Sequence, residues 1–153
     1  MKILIVIDMQ KGFMTNKNYE NLNFKVENLI TSSNYDKVIY TKFINKKNSL
    51  YETKIKWTGL QDKESQEFSI NVPENATIFT KYGYGLTSRQ LNQIKRLGVD
   101  SVDICGLQTT CCVYAISLQL FDIGIYPNIL INYVEGKTRL RDFFERYAFS
   151  YLW

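Results

Sequence analysis

Histidine is absent from this 153-residue sequence, and that absence removes more chemistry than any single residue supplies. Ser-His-Asp and Cys-His relays need an imidazole to carry the proton, so neither can be assembled within the chain, and no histidine metal site can form. Cysteine is scarce too: there are three, an odd number with two of them adjacent. Such a set makes no disulfide framework and points to a reducing, cytoplasmic compartment. No apolar run approaches the ~18 residues of a membrane span. The opening Met-Lys-Ile-Leu-Ile-Val-Ile is cut short by Asp8 with no small-residue cleavage site after it, so it reads as a strand and not as a signal peptide. Basic clusters are also missing: the net charge is +4, but the lysines are scattered and Lys46-Lys47 is the one short pair before the C-terminal arginines. Neither nucleic acid nor a membrane is therefore expected as a partner. No repeat, linker or low-complexity tract divides residues 1–153. That length suits a single domain, burying about 68–70% of its extended-chain surface.

What is present alternates between two periods. Residues 2–7 form a nearly continuous branched apolar run, which fits a central parallel strand covered on both faces. Over 20–33, Leu22, Val26, Leu29 and Ile30 fall on one helical stripe. Further strands are predicted over 37–41, 76–80, 99–105 and 125–131, with Pro127 confining the last to an edge or delaying its start. Further helices are predicted from Thr87 or Ser88 to Gly98, over 110–123, and from 138 to about 151. Between Phe43 and Pro73 periodicity fades, and this long excursion is expected to be a lid or pocket wall, or to hold short helices. The fold class is α/β, a three-layer α/β/α sandwich around a doubly wound parallel sheet.

Ligands of such sheets gather at the C-terminal ends of the strands, and Asp8, Lys81 and the Cys111-Cys112 pair all fall there. Each has an ordinary explanation alone. Asp8 suits a strand-ending turn or a helix cap, Lys81 a solvated loop, and a cysteine often serves as a small core hydrophobe. Together they suggest a site. A thiol where a strand breaks at Gly106 and a helix restarts meets free N–H groups and the positive end of a helix dipole, both of which favour thiolate. Phe13, Trp57, Tyr82 and Tyr84 are candidate walls for a flat, small-molecule substrate, with packing beneath a loop the other role open to Trp57.

The segment Gly106-Leu-Gln-Thr109-Thr-Cys-Cys112-Val113 resembles the G-x-x-T-x-x-C-V segment of the isochorismatase-like cysteine hydrolases, a family that includes nicotinamidases and N-carbamoyl amidohydrolases. Ile5-Val-Ile-Asp8-Met-Gln-Lys-Gly-Phe13 is similar to that family's opening motif, and Thr80-Lys81-Tyr82 to its central lysine motif. The resemblance implies Cys112 as nucleophile, Asp8 as general acid and base, and Lys81 as the cation supporting the thiolate. It further implies an oxyanion hole of backbone N–H groups near Gln108 and Cys112, and a cis peptide between Leu107 and Gln108. The activity implied is cleavage of a C–N bond in a small amide or carbamoyl compound through a thioester. A non-catalytic binding module on the same fold is the alternative. A redox role for Cys111 and Cys112 is disfavoured, because adjacent cysteines close only a strained ring and no C-x-x-C is present.

Three departures from the family pattern stand out. Nicotinamidase-like members carry an Asp-x-His metal motif after the second strand, where this sequence has Phe43 and Asn45, so no metal and no cofactor is expected. Asn132 stands where relatives commonly have Asp, and the sequence ends at Trp153 where a further strand would be expected. A homodimer or larger oligomer is expected, since the 110–123 helix is apolar on more than one face.

Overall fold

Every residue of β1 (Ile3–Ile7) is buried in the computed structural model, which describes residues 1–136. Successive side chains of a strand point to opposite faces, and here both faces are covered. Ile3, Ile5 and Ile7 join one apolar cluster, Leu4 and Val6 another. α1 (Lys17–Ser32) begins where the Asn16 side chain accepts the backbone N–H groups of Asn18 and Tyr19, satisfying two donors that the first turn leaves open. Its buried residues Tyr19, Leu22, Val26 and Leu29 recur every three or four positions and cover the Leu4 and Val6 face. β2 (Lys37–Phe43) then runs parallel to β1, with Ile39 beside Ile5.

The excursion after β2 holds two short helices, α2 (Leu50–Thr53) and α3 (Lys63–Gln66), capped by the side chains of Ser49 and Asp62. At four residues each they are too short for a hydrophobic period to show. β3 (Thr77–Lys81) pairs with the outer side of β2. α4 (Ser88–Lys95) opens with a reciprocal capping box between Thr87 and Gln90. β4 (Ser101–Leu107) returns to the other side of β1, and a wide π-helical turn at Thr109–Val113 leads into α5 (Tyr114–Asp122). Ile94 of α4 and Ile116 and Leu120 of α5 cover the Ile3, Ile5 and Ile7 face. β5 (Tyr126–Glu135) completes an all-parallel sheet of order β3-β2-β1-β4-β5.

This is the doubly wound α/β sandwich expected from the sequence. Among the described residues Pro127 lies on an edge strand, as expected. β5 is longer than its apolar run suggests, reaching Glu135 after a register shift opposite Ile104 and Gly106. The helix expected from 110 starts only at Tyr114, because the wide turn takes up the first residues. The helix expected over 138–151 lies outside the described residues.

The strand order reverses between β1 and β4, which makes their C-terminal ends the crevice of the sheet. Gly106 lets the two strands close there. Its φ is +114°, and a Cβ at this position would stand 2.1 Å from the Ile7 carbonyl oxygen.

Candidate active site

Asp8 leaves β1 with φ of 50°, a left-handed turn that aspartate tolerates better than most residues. The turn carries its carboxylate back under the strand ends. Its backbone N–H donates to the Thr41 hydroxyl at 3.1 Å, and that hydroxyl donates to Oδ1. Lys81, the last residue of β3, extends inward so that Nζ lies 2.7 Å from Asp8 Oδ2 and 3.2 Å from Cys112 Sγ. Nζ also donates to the Gly83 carbonyl at 3.0 Å and lies 5.0 Å from the centre of the Phe43 ring. Asp8 and Lys81 are 0% and 1% exposed, so this ion pair is shielded from solvent.

Cys112 sits in the wide turn between β4 and α5, and its sulfur accepts a hydrogen bond from Lys81, the ammonium that also pairs with Asp8. Burial pushes the thiol well above its ordinary range, the Asp8 carboxylate adds to that, and Lys81 opposes both. The lysine was expected to favour thiolate, and Lys81 acts in that direction, against burial and Asp8. Desolvation outweighs the single cation, which Asp8 already neutralises. Asp8 and Lys81 form a buried ion pair, and the Cys112 sulfur lies against its ammonium. For Lys81, burial pulls the ammonium down, but Asp8 and Cys112 outweigh it and hold the group above its ordinary value.

Cys112 opens onto a cavity of about 510 Å³ whose lining includes Gln108 and Cys111. Its aromatic wall is continuous. Trp57 stacks at 6.1 Å on both Phe13 and Phe43, and Tyr51 meets Phe43, Trp57 and Tyr84 edge-on at 5.2, 6.0 and 5.3 Å. Three of the four aromatic residues anticipated from sequence, Phe13, Trp57 and Tyr84, thus line the cavity. Tyr82 is not among its lining residues. It follows the inward-pointing Lys81, so the alternation of an extended chain turns it outward. There it is half-exposed, with Lys46 Nζ 3.8 Å over its ring. Sequence reasoning missed Phe43 and Tyr51 as walls. The density of aromatics between positions 43 and 57 was the available signal.

The Leu107–Gln108 peptide is cis, as the resemblance implied. Two glutamines fix the surrounding backbone. Gln10 donates to the Phe43 carbonyl at 2.9 Å and accepts the Phe43 N–H at 2.8 Å, and Gln119 does the same for Leu86 at 3.0 and 2.7 Å.

The isochorismatase domain model matches residues 2–132, and the chain belongs to that family. Among solved structures, it is similar to the pyrazinamidase of Pyrococcus horikoshii in complex with zinc, at 23% identity over 95% of this chain and 92% of that one, with a TM-score of 0.80. An isochorismatase-like hydrolase from Alkaliphilus metalliredigens matches at 15% identity over 95% and 90%, with a TM-score of 0.82. The N-carbamoylsarcosine amidase of Thermoplasma acidophilum matches at 20% identity over 96% and 92%, with a TM-score of 0.72. No curated protein matches the sequence.

The residues here do not fit a zinc ion of the kind the Pyrococcus protein holds. Among the described residues no three His, Cys, Asp or Glu side chains converge. Phe43 is 3% exposed and locked between Tyr51 and Trp57. Asn45 has both ends of its amide committed: Nδ2 donates to the Trp57 and Gly59 carbonyls at 3.1 and 2.9 Å, and Oδ1 accepts from Ser49 at 2.6 Å. Phe43 lines the cavity instead, and Asn45 ties down the backbone of Trp57 and Gly59.

Proposed function

We propose that the chain is a cysteine-dependent, metal-independent amidohydrolase acting on a small amide or carbamoyl compound. The observation that carries this reading is a buried thiol at the cavity's edge, 3.2 Å from an ammonium that itself lies 2.7 Å from a buried carboxylate. The thiol needs a base at the moment of attack, and Asp8 is in place to act. As Sγ bonds to the substrate carbonyl carbon, Asp8 takes the thiol proton, and Lys81 holds both partners in register. The oxyanion of the tetrahedral intermediate is received by backbone N–H groups of Gln108 and Cys112. Asp8 then returns the proton to the leaving nitrogen, the C–N bond breaks, and ammonia or an amine departs from a thioester. Water, deprotonated by Asp8, attacks the thioester carbon and releases the acid with the thiol restored.

Amidase activity is named for the Pyrococcus and Thermoplasma relatives, which supports the same reaction class here. Metal independence is supported by the missing histidines and by the structural commitment of Phe43 and Asn45. The test is ammonia release from a library of primary amides and carbamoyl compounds, before and after exhaustive dialysis against a chelator. Turnover should survive chelation, be abolished in Cys112→Ala, and give a transient mass increase equal to the acyl group on the Cys111–Cys112 peptide. Turnover retained in Cys112→Ala would refute the mechanism, and stoichiometric zinc lost together with activity would refute metal independence.

A further inference from the structure

The two oxygens of the Asp8 carboxylate stand in unlike surroundings. Oδ1 accepts the hydroxyl proton of Thr41, whose oxygen in turn accepts the Asp8 backbone N–H at 3.1 Å. The two residues close a ring of hydrogen bonds, and the amide fixes its direction. An N–H can only donate, so the hydroxyl spends a lone pair on it and keeps its single proton for Oδ1. Oδ2 lies 2.7 Å from Lys81 Nζ, yet among the described residues no hydrogen bond is directed at it. The ammonium directs protons at the Gly83 carbonyl and at Cys112 Sγ. Oδ2 is therefore a buried carboxylate oxygen with an open lone pair, beside the same ammonium that touches the sulfur.

The strand register puts Thr41 in this place. Val6 of β1 lies opposite Tyr40 of β2, so the next residue of β2 stands level with the point where the chain leaves β1 for Asp8. Thr41 and Asp8 are both fully buried, and Thr41 is not among the residues lining the cavity. A proton on Oδ1 would meet the Thr41 hydroxyl proton head-on, or force that hydroxyl to turn away from its partner inside a solvent-free interior. A proton on Oδ2 disturbs neither bond. Resting on the amidohydrolase reading above, we infer that Thr41 is a positioning residue: it occupies Oδ1 and holds the carboxylate so that Oδ2 alone exchanges the proton. During attack the Sγ–C bond forms, the carbonyl π pair moves onto the substrate oxygen, and the thiol proton passes to Oδ2. When the intermediate collapses, that proton goes from Oδ2 to the leaving nitrogen as the C–N bond breaks. Thr41 gives up no proton at either stage.

Two substitutions separate the hydroxyl from its packing. Thr41→Val keeps the shape and deletes the hydroxyl, whereas Thr41→Ser keeps the hydroxyl and deletes a methyl. For an amide turned over by the parent, Thr41→Val should lower kcat by roughly tenfold to a hundredfold, the scale of a misplaced catalytic group, and leave KM nearly unchanged. Thr41→Ser should restore most of kcat. A packing role predicts the reverse order. Alkylation of Cys112 by iodoacetamide needs no amide substrate, so it decides on Thr41 separately; a parent that alkylates as expected but turns over no amide counts against the amidohydrolase reading alone. Alkylation should slow roughly tenfold in Thr41→Val and recover in Thr41→Ser. It should not slow further when Thr41→Val is added to Asp8→Asn, because a positioning residue then has no base left to act through. Thr41→Ala makes the same comparisons should the valine variant not fold. Undiminished rates in Thr41→Val, a serine variant as impaired as the valine one, a loss carried by KM, or an equal loss in the Asp8→Asn background would overturn the inference.

Discussion

At the scale of single residues, one proton decides how the site works. Burial and the Asp8 carboxylate both strengthen the hold of Cys112 on its proton, and the Lys81 ammonium opposes them. Asp8 therefore has two separable duties: moving that proton, and neutralising a buried ammonium. Asp8→Asn removes both. It should lower kcat/KM by about 10²- to 10⁴-fold and destabilise the protein by about 3–5 kcal/mol, because Lys81 is left as an unpaired buried charge. Adding Lys81→Met removes that charge, so the double variant should regain much of the stability and none of the turnover. Thermal denaturation beside steady-state kinetics on the single and double variants checks this. A double variant no more stable than Asp8→Asn would mean that the ion pair does not dominate the local energetics.

At the scale of elements, the site exists because two strand ends come close without a side chain between them. Gly106 is the residue that permits it, and Gly106→Ala should cost about 3 kcal/mol or leave the chain unfolded, since both its positive φ and its contact with Ile7 exclude a Cβ. Chemical denaturation measures the loss; a change below about 0.5 kcal/mol, the range of an innocuous surface substitution, would contradict the close approach. Much of this level was legible in advance. The unbroken apolar run of β1 and the single stripe of α1 declare themselves by period, Asp8, Lys81 and the Cys111-Cys112 pair follow from where strands end, and the family resemblance is what selects Cys112. The wall was less legible, because Phe43 and Tyr51 face the cavity through contacts that join a strand end to a four-residue helix. No period records such a contact. Tyr82 misled for a related reason: neighbours in sequence share a loop, but in an extended chain they do not share a side.

At the scale of the whole molecule, the buried thiol and ammonium tie stability to pH. Both Cys112 and Lys81 hold their protons more tightly when folded than their ordinary values of 9.0 and 10.5 imply. The unfolded chain therefore loses these protons first as pH rises. With fewer protons bound by the unfolded state, stability falls with increasing pH. The contribution from each group is fully present below its ordinary value and is lost between that value and the raised one. Unfolding midpoints should thus decline above about pH 9, first through Cys112 and then, above about 10.5, through Lys81. Urea titrations from pH 7 to 11 on the parent and on Cys112→Ala test the sign and the order, and an equally steep early decline in Cys112→Ala would remove the thiol from the account. The sheet also reaches further than its strands do. β1 turns away at Asp8, so Phe43, paired with Lys81 on one side, faces no backbone on the other, and the Gln10 amide supplies one donor and one acceptor in its place. That side chain works as a rung borrowed from outside the ladder. The Phe43 amide should consequently exchange its hydrogen with solvent deuterium as slowly as those of Ile39 and Tyr40 in mid-strand, and Gln10→Ala should release it first, so that the cavity wall loosens before the sheet does.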